Sequence, residues 1–222
     1  MIKRMIMKKL MIACALLAAL CTAIPGPLEG RTAADAMQAS QSTADKILKK
    51  ITSTASGMKT MKCDFVQVRK MSLLADEMKS SGVMYFEKDS KLRWEYREPT
   101  AYVMTINGGT VTIDSEAGHS VSDASSSRIY KAVADMVMGC MSGETLQDSR
   151  MFRTTFTDLG SVWVAELKPV RKDLQRMFES LVLNFDAKTG YLRSMVMNDA
   201  SGNSTSITVS NISVNGNYGI KW

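Results

Sequence analysis

The sequence predicts a mainly β fold with a few helices, in which a large antiparallel sheet, apolar on one face, carries helices against that face. Three observations predict it. Beyond residue 80 apolar residues recur mostly at every second position, the period of a half-buried strand. The turns between these runs are too short for helical crossovers, so sequential strands pair antiparallel. Two stretches, 44–55 and 127–141, repeat instead at three- and four-residue steps and read as amphipathic helices.

At the N-terminus, MIKRMIMKK precedes an apolar run of about 15 residues, the layout of a secretory signal peptide and short of the roughly 20 residues of a spanning helix. Pro25 and Gly26 end the run. The expected organisation is a signal peptide over 1–23, with cleavage as late as residue 34 also compatible, then a flexible leader over 24–41 and a single domain over 42–222. A lipid-anchored product is disfavoured, because only a short apolar run precedes Cys14 and the large Leu20 precedes Cys21.

Within 44–55, Ala44, Ile47, Leu48, Ile51 and Ala55 form one stripe, with Lys46, Lys49 and Lys50 on other faces. Ser42 or Thr43 can cap the start, and Gly57 suits the stop. Strands follow. Residues 83–86 are apolar on both faces and should be well covered. Over 91–97, Leu92, Trp94 and Tyr96 share one face and Arg93, Glu95 and Arg97 the other. Residues 101–106 and 110–114 flank Asn107-Gly108-Gly109, a hairpin turn. The second helix places Ile129, Val133, Met136, Val137 and Cys140 on one stripe, with Ser125 or Ser126 to cap it and Gly143 beyond its end. Further strands are predicted at 152–157, 162–167, 177–185, 192–197 and 205–214, separated by turn residues at 158–160, 186–190 and 199–203. In the last strand the apolar side changes near Asn211, from Ile207 and Val209 to Ile212 and Val214, which predicts a bulge or bend.

Composition narrows the function. Loss of Lys3, Arg4, Lys8 and Lys9 with the signal lowers the net charge from +6 to +2, so the high pI argues little for nucleic acid. On the strand at 91–97 the aromatic rings and the arginines lie on opposite faces and cannot hold the same base. His119 is the single histidine and reads as a polar turn residue. Ser120, Ser122 and Asp123 are near it only in sequence, and no serine sits in a G-x-S-x-G elbow. Glu95, Glu98 and Asp114 are unspecific acid–base candidates. No enzyme, cofactor or metal site is therefore expected. Cys63 and Cys140 remain after export; a disulfide between them and two separate thiols both stay open, the separate thiols being favoured. Methionine is abundant, with 14 of 18 beyond residue 34, and Met84, Met104, Met136 and Met195 are candidates to line an apolar site because the side chain adapts to irregular partners. The pattern alone leaves two readings open: a helix and sheet closed on a solid core, which is the simpler, or the same elements around a cavity.

Phe65-Val66-Gln67, Ser81-Gly82, then Lys91-Leu92-Arg93-Trp94-Glu95-Tyr96 and Pro99 resemble, in order and spacing, the LolA family of outer-membrane lipoprotein carriers. In the C-terminal half Leu167-Lys168-Pro169, Leu183, Phe185, Thr189-Gly190 and Ser210-Asn211-Ile212 continue the likeness, which covers about 42–215. The resemblance implies an incomplete β-barrel with a helical lid over an apolar cavity. It implies a periplasmic protein, without enzymatic activity or cofactor, that holds lipoprotein acyl chains between the two membranes. Acylated lipoproteins are the implied cargo, an inner-membrane lipoprotein-releasing transporter the donor and an outer-membrane protein the acceptor; a monomer is expected, with no nucleic acid partner. The implied cavity residues are Phe65, Phe86, Leu92, Trp94, Tyr96, Met104, Ile106, Leu181 and Leu183. Ile129, Val133, Met136, Val137 and Cys140 fall at the lid, and Lys88 at the residue that holds it closed, although this chain has Asp89 where the family usually has proline. The other readings are a general periplasmic binder of lipids or amphiphiles, a module with a filled core, and a hydrolase using His119.

Overall fold

A computed structural model describes residues 33–73, 77–88, 91–108, 110–123, 139–140 and 143–222. The chain divides into two units, at 1–39 and 40–222, and the sheet belongs entirely to the second. Helix α1 (Ala33–Ser56) is followed by β1 (Thr60–Lys70), β2 (Glu77–Glu87), β3 (Lys91–Glu98), β4 (Tyr102–Asn107), β5 (Thr110–Ser115) and β6 (Gly118–Asp123). Then come α2 (Glu144–Gln147), β7 (Phe152–Asp158), β8 (Val162–Pro169), α3 (Lys172–Gln175), β9 (Ser180–Asp186), β10 (Leu192–Asn198) and β11 (Ser204–Val214). All eleven strands form one antiparallel sheet in the order β6-β5-β4-β3-β2-β1-β11-β10-β9-β8-β7. The chain enters at the middle, walks out to β6, crosses to the far margin at β7 and walks back until β11 pairs with β1. Among the described residues nothing pairs β6 with β7, so the sheet is open rather than a closed barrel.

The strands predicted from alternation are present. Helix α1 covers the predicted 44–55 stripe but begins at Ala33, inside the stretch read as a flexible leader. Its Ile47 and Ile51 are buried and its Lys46, Lys49 and Lys50 exposed, as the stripe requires. Two strands went unread. In β1 the charges of Lys62 and Asp64 interrupt the outward positions, while Met61, Cys63 and Phe65 point inward. In β6 a short polar run gives no periodic apolar signal. His119 is thus a strand residue and not a turn residue: it pairs with Asp114, with Nδ1 2.5 Å from the carboxylate. The hairpin at 107–110 is as tight as its sequence implies. Asn107 pairs with Thr110, and Gly108 takes φ +57, a conformation that favours glycine. The predicted lid stripe at Ile129, Val133, Met136 and Val137 lies outside the described residues.

The predicted change of side in the last strand is a β-bulge. Asn211 has φ 51, and the register to β1 jumps from Lys62↔Ser213 to Asp64↔Ser210. The extra residue turns Ile207, Val209, Ile212 and Val214 to the same side, where an uninterrupted strand would split them. Asn211 can hold this left-handed conformation because its side chain is short and polar, and its Nδ2 donates to Asp64 at 2.6 Å.

Register assigns the faces. Tyr96, Trp94 and Leu92 lie opposite Gly82, Met84 and Phe86 on β2, and these lie opposite Phe65, Cys63 and Met61 on β1. The inner face continues through Met104 and Ile106, then across β11 and β10 to Leu181, Leu183, Leu167 and Ala165. The outer face is polar where Arg93 Nε donates to Glu95 at 2.7 Å. It is apolar at Val83 and Tyr85, as the double-sided pattern of 83–86 predicted, and the C-terminal tail reaches it at Tyr85. Tyr218 lies against Tyr85, Trp222 Nε1 donates to Glu87 at 2.8 Å, and Lys91 stands over the Trp222 ring.

Candidate functional site: an apolar inner face

All nine residues expected to line a cavity, Phe65, Phe86, Leu92, Trp94, Tyr96, Met104, Ile106, Leu181 and Leu183, share the inner face and one buried core. Met84 and Met195 join them; Met136 lies outside the described residues. Alternation explains the outcome, because a strand with one covered face must send every second side chain to it. Cys140, at the end of the predicted lid, is fully buried in the same core. Lys88 is exposed in the turn after β2, and its backbone N–H donates to the Lys59 carbonyl at 2.8 Å.

An aromatic cluster forms the centre. Phe65 meets Trp94 and Tyr96 edge-on, with centroids 5.6 and 5.0 Å away, and Tyr96 stacks on Tyr102 at 4.3 Å. Such pairs contribute about 0.5–1.5 kcal/mol each beyond area burial. Tyr102 was not among the expected residues. Its signal was parity with Met104 and Ile106, counted back from the hairpin at Gly108. Gly82 makes the cluster sterically feasible. A Cβ there would lie 1.8 Å from the Glu95 carbonyl oxygen and 3.0 Å from the Phe65 ring. The Ser81-Gly82 pair therefore marks close approach of β3, whose register against β2 shifts at this point.

Few polar atoms reach this face. Tyr96 Oη donates to Gln67 Oε1 at 3.1 Å, and burial, helped by neighbouring Tyr102, holds its phenol well above the ordinary value. Among the described residues, Trp94 Nε1 is buried without a hydrogen-bond partner. An orphaned indole N–H costs about 1–3 kcal/mol, so this donor is an exception that needs a cause. Cys63 and Cys140 are free thiols, each pushed up to about 12 by burial. On the outer side of the sheet His119 and Asp114 are both exposed, and Ser120 projects to the opposite face. Among the described residues no group of His, Cys, Asp and Glu is placed to hold a metal ion.

Fold and site together define an open-sheet protein that gathers its apolar side chains on one face and, among the described residues, leaves one buried hydrogen-bond donor without a partner there. Residues 56–219 match the family described as outer membrane lipoprotein carrier protein LolA. The chain belongs to the LolA family. An outer-membrane lipoprotein carrier protein of Cupriavidus pinatubonensis is 29% identical over 168 residues, spanning 71% of this chain and 73% of that protein. One of Methylococcus capsulatus is 26% identical over 158 residues, spanning 69% and 71%. The crystal structure of a LolA superfamily protein from Nitrosomonas europaea aligns with a TM-score of 0.42 at 10% identity, covering 78% of this chain and 94% of that one.

Proposed function

We propose that this protein is a periplasmic carrier that takes the acyl chains of lipoproteins onto its inner face and moves them from the inner to the outer membrane. Family membership supports the class, and the observation that carries the ligand chemistry is the unpartnered Trp94 N–H. A hydrocarbon ligand alone would leave that donor unsatisfied. An acyl ester or amide brings a carbonyl acceptor next to its chains, so one ligand meets both the apolar face and the donor.

Burial of acyl chains is worth roughly 0.8 kcal/mol per methylene, so several chains would bind too tightly to leave a site that stood open and empty. Here the inner-face rings already pack on one another. Cargo must displace existing contacts, which offsets part of the gain and keeps release to an acceptor feasible. In this reading the cargo displaces a cover over the face, with Cys140 buried in the core beneath it and Lys88 as the group that latches it. No bond is made or broken in the cargo; transfer runs from an inner-membrane releasing transporter to a tighter outer-membrane acceptor.

The test is native purification from periplasm followed by mass spectrometry of what remains bound. Proteins acylated on an N-terminal cysteine are the expected species. Recovery of phospholipid alone would replace the proposal with a general amphiphile binder, and recovery of no acylated species would end it.

A further inference from the structure

Two bulges interrupt neighbouring strands at the same height. In β10 the register against β9 jumps between Leu192 and Ser194, and in β11 the register against β1 jumps around Asn211. Pairing of β10 with β11 therefore runs only from Asn198↔Ser204 to Ser194↔Thr208. Among the described residues, the β10-facing edge of 209–214 has no strand partner. Helix α1 holds the β9–β10 turn where it is: the Thr54 hydroxyl donates to the Thr189 carbonyl at 2.8 Å. A Cβ on Gly190 would lie 2.7 Å from the Thr54 hydroxyl oxygen, so turn and helix are in close contact. The strands consequently diverge into a slot.

The slot has two chambers with a shared throat. On the outer side is a cleft of about 460 Å³, with Asp186, Thr189, Arg193, Ser194, Thr208 and Asn211 among its walls. On the inner side is a void of about 20 Å³ among Met58, Met61, Met84 and Leu192. Tyr191, Val209 and Ile212 border both, so these three side chains are all that the two spaces share as a wall, here called the throat. Met84 separates the inner chamber from the central face, where it pairs with Trp94 across β2 and β3. The outer rim is polar: Arg193 pairs with Asp186, whose carboxyl is held below its ordinary value, first by the Thr189 backbone N–H.

We propose that this slot is a side entrance for one acyl chain, whose carbonyl end stays in the outer cleft while its tail passes the throat to the methionine-lined chamber. The inference rests on the acyl-carrier reading and adds a site to it. The dimensions select a single chain, since the inner void has room for about one methylene or water. It can lengthen only where Met58, Met61 and Met84 change rotamer, which unbranched thioethers do at low cost. An extended peptide does not fit, because a void with room for about one methylene cannot pass a polar backbone between apolar side chains.

The test uses a synthetic tripalmitoylated cysteinyl peptide with a diazirine at the end of one acyl chain, and the full chain purified from periplasm. Photolabelling is expected at Met58, Met61 or Leu192, as well as around Trp94. Val209→Trp, which fills the throat, should abolish the first set of labels and spare the second. Tyr191→Ala, which widens the throat at a half-buried position, should speed probe association severalfold without changing the fold. Labels confined to the Trp94 region, with association unchanged in Tyr191→Ala, would overturn the entrance and leave the carrier reading standing. Failure of the wild-type protein to bind the peptide would overturn both.

Discussion

Replacing Gly82 by alanine would drive a methyl group into the backbone of β3. The added carbon would lie 1.8 Å from the Glu95 carbonyl oxygen, 2.9 Å from its carbonyl carbon and 3.0 Å from the Phe65 ring. A carbon–oxygen contact needs about 3.3 Å, so the strands must part locally by about 1.5 Å. The Phe65 ring could yield, but the Glu95 carbonyl is main chain and β3 is paired on its other side with β4, so it cannot turn away without disturbing that ladder. Overpacking typically costs about 1–3 kcal/mol, and an immovable backbone partner places this case near 3 kcal/mol. For a domain of this size that lowers Tm by roughly 6–12 °C. Calorimetry alongside urea unfolding monitored by circular dichroism reads the change. A shift below about 2 °C would refute the reasoning, since Gly82 would then not be required by the approach of β3.

Four further outcomes follow from the same geometry. Trp94→Phe removes the orphaned donor and leaves a small void, two effects that offset to within about 1 kcal/mol in stability. Affinity for a triacylated lipopeptide should nonetheless fall about tenfold, and competition binding that shows no loss would refute the carbonyl contact. At Asn211, glycine keeps the left-handed backbone and loses only the Asp64 hydrogen bond, whereas valine adds strain, so Asn211→Val should be about 1–2 kcal/mol less stable than Asn211→Gly in urea. Cys63 and Cys140 should resist a thiol reagent at pH 8 until the chain unfolds; because burial raises both thiols to about 12, stability should decline as pH climbs past the ordinary thiol value, where only the unfolded chain gives up those protons. The Glu87 carboxyl is held below its ordinary value by hydrogen bonds from Lys91 and then Trp222, so docking of the tail should persist above the usual carboxylate range and loosen as pH falls through the lowered value; the Trp222 indole N–H signal in NMR reports it.

The sheet was legible wherever one face is covered and the other wet. Leu92, Trp94 and Tyr96 against Arg93, Glu95 and Arg97 give face and strand together, and Ile207 and Val209 against Ile212 and Val214 gave the bulge before any register was known. The reading lapsed where that contrast is missing. The hydroxyls of β6 carry no apolar alternation, and the outward Val66 and Val68 of β1 blur the parity of Phe65 and Gln67. Tyr102 was within reach, since the hairpin fixes its register to Tyr96. The slot was not. It depends on two bulges meeting across strands and on the Thr54–Thr189 contact, and such long-range coincidences leave no mark within a local window. The missing partner of Trp94 is likewise a property of assembled neighbours and cannot be read from residue type.

Among the described residues the sheet has unpaired margins at β6 and β7, and this separates it from a closed barrel of similar width. In a ring of strands, circumference and tilt are tied together by closure, so the diameter is fixed once the strand number is chosen. A ribbon with loose ends has no such constraint. Twist can redistribute over eleven strands with every ladder intact, so in the carrier proposed above the sheet could deepen or flatten its curve to suit cargo of different girth.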